Sequence, residues 1–99
     1  MKCSNYLWMY KKTYANASAN GEDWSPERAQ GETRLILGDE NITNDINGKE
    51  MTEREAMSIY GRNFDVLNSA FENGDRSTFD GVVTEALKND IGNDNKEEV

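Results

Sequence analysis

Apolar positions recur at three- and four-residue steps through residues 52–73, where Ala56, Met57, Tyr60, Phe64, Leu67 and Phe71 share one face of an α-helix. Ile59, Val66 and Ala70 widen that stripe. Thr52 with Glu55 forms a capping box at its start, and Asn73-Gly74 supplies a left-handed stop. Such a helix must bury its stripe, so it is read as the spine of the core. Asn63 breaks the pattern from inside the apolar sector. It reads as a buried amide bonded to a loop carbonyl, or as a polar residue that fixes a partner's register. Gly61 beside it costs about 1 kcal/mol relative to Ala in mid-helix and suggests a close crossing with another backbone.

A second amphipathic pattern follows at once. Asp75 or Ser77 caps it; Phe79, Val82, Val83, Ala86 and Leu87 mark its buried face, and it should fade near residues 90–92. The intervening loop of about three residues folds the two helices into a C-terminal αα-hairpin.

The first half of the chain is less regular. Residues 6–10, Tyr-Leu-Trp-Met-Tyr, form a short apolar run that reads as a buried strand. The competing reading is a helix with Cys3, Tyr6, Leu7, Tyr10 and Tyr14 on one face. Asn20-Gly21 marks a turn, and Ser25-Pro26 starts a helix that Gly31 should end after a turn or so. Residues 33–37, Thr-Arg-Leu-Ile-Leu, read as a second strand. Ile42 and Ile46 anchor a third, edge strand before Asn47-Gly48 turns the chain toward the helix at Thr52. The expected fold class is α+β: a small single domain over residues 1–91, with two or three strands, read as antiparallel, packed against the αα-hairpin. The polar, charged residues 92–99 should form a disordered acidic tail.

Composition narrows the function. Hydrophobic residues make up 35% of the 99 residues, below the usual ~45–50%, so the core is small and leans on aromatics. The formal charge of −8 repels phosphates and anionic membranes, which excludes direct electrostatic binding to nucleic acid and favours basic protein surfaces. Cys3 is the single cysteine, so an internal disulfide framework is excluded. No apolar run is long enough for a secretory leader or a bilayer span, and the expected location is the cytoplasm. The triplets Asn16-Ala17-Ser18 and Asn41-Ile42-Thr43 are therefore read as chance glycosylation matches.

No residue set points to catalysis, a cofactor or a metal. Histidine is absent, which removes the commonest general base and every Ser-His or Cys-His pair. Residues 45–48 echo the middle of a calcium loop, but Thr43 and Arg54 would stand where its end ligands must be acidic. What remains is electrostatic. Residues 39–55 carry Asp39, Glu40, Asp45, Glu50, Glu53 and Glu55 against Lys49 and Arg54 alone. Asp39, Glu40, Asp45, Glu50 and Glu53, with Trp24 as an exposed contact residue, are the candidate partner-binding residues. A solvated loop leading into a helix N-terminus, where acids are favoured anyway, is the plain alternative. The expected function is that of a small acidic protein-binding module. Its partner would be a larger basic protein whose nucleic-acid-binding surface it occupies, as phage-type inhibitors of restriction or CRISPR machinery do. The alternative is a structural protein that homo-oligomerises through aromatic surfaces.

Overall fold

The aromatic run at residues 6–10 is helical. In the computed structural model, which describes residues 1–38 and 40–97 with side chains as far as residue 91, it lies inside α1 (Cys3–Ala19). The strand reading of this run is thus corrected. Cys3, Tyr6, Leu7, Tyr10, Thr13 and Ala17 are all buried, and their three- and four-residue spacing extends beyond the run on both sides. A strand would have buried five residues of this stretch, whereas the helix buries a stripe four turns long. Lys2 provides no side-chain cap, and the first turn is satisfied from elsewhere in the chain, by Asp45.

The second expected strand is helical too. Ser25 caps α2 (Pro26–Leu37) by accepting from the Arg28 N–H at 3.2 Å, with Pro26 at the first position, as the sequence predicts. The helix then passes through Gly31 and takes in residues 33–37. Burial of Ala29 and Thr33 against α1 outweighs the glycine's cost of about 1 kcal/mol. The Thr33 hydroxyl donates to the Ala29 carbonyl at 2.7 Å, and α2 ends on left-handed Gly38, φ 82°.

Where one edge strand anchored by Ile42 and Ile46 was expected, the sheet is a hairpin: Ile42 lies in a strand, Ile46 is exposed in the turn, and a second strand follows Asn47-Gly48. Strands β1 (Ile42–Thr43) and β2 (Glu50–Met51) are antiparallel, pairing Ile42 with Met51 and Thr43 with Glu50. Their turn is closed by Asn44 N–H to Lys49 carbonyl and Gly48 N–H to Asn44 carbonyl, both 2.8 Å, with Gly48 at φ 72°. Helices take up 71% of the chain and the sheet is this one pair, so the fold is a small α+β domain in which the helices carry the core.

The long helix is two. The capping box forms as expected, with Glu55 N–H to Thr52 Oγ1 and Thr52 N–H to Glu55 Oε1 both at 3.1 Å. Helix α3 (Glu53–Arg62) then stops, and α4 (Phe64–Glu72) begins after Asn63, which sits at φ −121°, ψ 27°. The Asn63 side chain donates to the Ile59 carbonyl at 2.9 Å, competing with the backbone ladder. The buried stripe keeps its phase across the break, and the residues at its edges emerge. Ala56, Ile59 and Tyr60 are buried before it and Leu67 and Ala70 after it, while Phe64 and Val66 are about half exposed. Gly61 has open space around it, so the close crossing expected there is absent.

Helix α5 (Arg76–Glu97) completes the αα-hairpin with α4. Asp75, not Ser77, caps it, accepting from the Thr78 N–H and hydroxyl; these bonds hold its carboxyl below the ordinary Asp value. Phe79, Val83 and Leu87 are buried as predicted. The helix continues to Glu97, past the expected fade near residue 92. The acidic tail expected over residues 92–99 lies outside the residues whose side chains are described. The element with the most packing partners is α1, which packs on α2, α3, α4, α5 and β1. It, and not the 52–73 segment, is the spine.

Candidate partner-binding surface

Two of the candidate carboxylates are joints of the fold. Asp45 accepts from the Ser4 N–H at 3.1 Å and the Ser4 hydroxyl at 2.5 Å, so the hairpin turn caps α1 from forty residues away in sequence. Its charge lies beside Cys3, whose thiol is pushed up to about 12 by burial first and by Asp45 second. A thiol so held is inert at neutral pH. Glu53 accepts from the Tyr6 hydroxyl at 2.6 Å and from the Arg34 guanidinium at 2.5 Å, tying α1 and α2 to α3. Burial, then the bond to Glu53, raises the Tyr6 phenol well above its ordinary value.

The other candidates are more open. Glu40 is exposed, with the Met1 amino group 3.6 Å from its carboxylate. Glu50 is exposed and accepts from the Asn41 amide at 2.9 Å, so these two carboxylates sit at the open end of the hairpin. Asp39 lies outside the described residues. Trp24 does not join them. It stands before α2, half-buried at the edge of the core under the Arg28 guanidinium at 4.4 Å.

The remaining aromatics face inward. Tyr6, Tyr10, Tyr60 and Phe79 are buried, and Trp8 packs on Phe71 and Phe79 with ring centroids 4.9 and 5.0 Å apart. Phe64 is the exposed aromatic among the described residues, and the Lys11 ammonium stands 5.8 Å from its ring centre.

Sequence reasoning missed the most open apolar surface. Leu35 is 75% exposed and Ile36 58%, on the segment read as a strand. Arg28, Gly31, Glu32, Arg34 and Leu35 line a groove of about 460 Å³ along this side of α2. Glu32 lines it as the one acid, and it is in no ion pair among the described residues. The two cations of α2 line the same groove: Arg34 is ion-paired with Glu53, and the exposed Arg28 lies over the Trp24 ring. The available signal was the helix start at Ser25-Pro26. Continued at 100° per residue, it sets Leu35 on the far side from Ala29 and Thr33.

No family model, curated protein or solved structure matches this chain. The geometry must speak alone. A cavity of about 560 Å³ lies between the hairpin, α3 and α5. Each of its carboxylates is engaged: Glu55 in the capping box, Glu50 with Asn41, and Asp90 by both guanidinium nitrogens of Arg62 at 2.9 and 3.1 Å. Among the described residues no group of three or more potential ligands is placed to hold a metal ion, and no helix is long and apolar enough to cross a membrane.

Proposed function

We propose that this protein is a small acidic protein-binding module whose partner is a larger basic protein. The surface it occupies is the partner's nucleic-acid-binding face, as a phage-type inhibitor occupies a restriction or CRISPR enzyme. The observation that carries this reading is the division of the molecule into an inward-facing aromatic core and an outside rich in unpaired carboxylates. Fixed carboxylates on a rigid body can stand in for phosphates in a basic channel. The rival reading, self-assembly through aromatic surfaces, needs an aromatic patch, and Phe64 alone does not make one. No catalytic role is proposed.

The test is capture of partners from a host lysate on the immobilised protein, with elution by salt or by competing duplex DNA. Nucleic-acid-binding proteins released by both agents support the reading. For the purified partner, Glu40→Lys with Glu50→Lys should slow association about tenfold at low ionic strength and much less at high. A partner that binds at the wild-type rate in both conditions, unaffected by DNA, would overturn it.

A further inference from the structure

From the cleft between the hairpin, α3 and α5, we infer a binding site for a small organic monoanion: a carboxylate carried on an apolar body. The site goes beyond the acidic-module reading and does not depend on it. Charge in the cleft is formally balanced, with Lys49, Arg54 and Arg62 lining it alongside Glu50, Glu55 and Asp90. Its hydrogen-bonding groups are not balanced. Asp90 is held by Arg62, while Glu50 accepts from Asn41 and Glu55 from Thr52. The two amide oxygens are also taken, Asn44 Oδ1 by the Ile46 N–H at 2.8 Å and Asn47 Oδ1 by the Lys49 N–H at 2.9 Å. What is left without a protein partner among the described residues is a set of donors. They are the Lys49 ammonium, the Arg54 guanidinium, the Ser58 hydroxyl and the NH2 groups of Asn44 and Asn47. A carboxylate offers acceptors alone and can meet several such donors at once, two of them charged. A single negative charge is the match, because Glu50 and Glu55 keep theirs and repel the second charge of a phosphate. Behind the donors the wall is apolar: Ile59 and Leu87 are buried there, and Met51 and Ile91 are half-buried. A cleft of about 560 Å³ with an apolar wall and a few convergent polar groups has the make-up of a small-molecule site, for which ~300–1,000 Å³ is usual.

The probe is naphthylacetate, compared with its neutral isostere naphthylacetamide and with naphthyl phosphate as a dianion. Binding is followed by backbone amide and methyl shifts, at a mildly alkaline pH that keeps the phosphate doubly charged. The expected result is shifts centred on Met51, Ser58, Ile59 and Leu87, with naphthylacetate the tightest of the three. Loss of the charge-assisted bonds should weaken binding about tenfold, both for naphthylacetamide on the wild type and for naphthylacetate on K49Q/R54Q. Naphthylacetamide should bind K49Q/R54Q as it binds the wild type, which separates lost charge from a damaged cleft. Circular dichroism confirms that the variant is folded, which exposed positions should permit. Equal affinity for acid and amide, or an unchanged affinity of K49Q/R54Q for the acid, would overturn the anion site. Preference for naphthyl phosphate would overturn the monoanion class. Absence of shifts at millimolar probe, or shifts gathered on Val66 and Val82 between α4 and α5, would overturn the cleft as the place of binding.

Discussion

Helices α1 and α2 pack against each other and carry leucines of opposite fate. Leu7 is wholly buried, whereas Leu35 is 75% exposed. The side chain is the same, and so is the helical backbone beneath it. What differs is how many neighbours surround each helix. Helix α1 meets four helices and a strand, so its apolar residues find partners on most sides. Helix α2 rests chiefly on α1 and is pinned at one point by Arg34 to Glu53; its far side has nothing to cover it. Burying a leucine is worth about 1.5–3 kcal/mol. At position 7 that free energy stabilises the fold, and at position 35 the fold does not draw on it.

The sharpest way to break this comparison is to make the same substitution in both helices. Leu7→Ala should cost about 2–5 kcal/mol, from lost burial and the cavity left behind. Leu35→Ala should stay within about 0.5 kcal/mol of wild type, because water already reaches the side chain. Urea titration followed by circular dichroism reads both. Similar midpoints for the two variants would mean that α2's far side is covered within the monomer.

The same contrast explains what the sequence could reveal. Caps are local, so Ser25-Pro26, the Thr52–Glu55 box and the Asn47-Gly48 turn were legible from a few adjacent residues. The buried faces of α3 to α5 were legible by period, up to Asn63. There a single side-chain bond to the Ile59 carbonyl interrupts the helix, and Phe64, expected in the core, emerges half exposed. The aromatic run in α1 misled because a five-residue apolar stretch fits a strand or a helix equally well. Only Thr13 and Ala17 downstream complete the helical stripe. Of the partner-binding candidates, charge was visible but engagement was not. Nothing near Asp45 in sequence points to Ser4, and nothing near Glu53 points to Tyr6.

Asp45 therefore tests whether a carboxylate of the acidic segment belongs to the fold or to a partner. Asp45→Ala removes the acceptor for two donors at the start of α1 and leaves the buried Ser4 hydroxyl unpaired. The expected loss is about 1–3 kcal/mol, the sum of a missing cap and an unsatisfied group. Asp45→Asn keeps an acceptor and should retain most of the stability. Cys3 offers a second readout, since fraying of α1 would expose its thiol. Labelling by a thiol reagent under native conditions should be faster in Asp45→Ala than in wild type. Unchanged stability and labelling would return Asp45 to the list of residues free to meet a partner.

The smallest expected effect concerns the residue that most misled the reading of α2. If Gly31 marked a helix end, an added methyl group would matter little or would strain a turn. In the continuous helix it occupies an interior position with ordinary helical backbone, since its φ is not among the positive values. A Cβ there would meet the Arg34 guanidinium at 3.8 Å, an ordinary contact. Gly31→Ala should therefore stabilise the protein by up to about 1 kcal/mol, chiefly by restricting the unfolded chain. Thermal unfolding should show a higher melting temperature. A melting temperature that falls would mean that α2 does not run unbroken through Gly31, and the contrast with α1 would lose its structural basis.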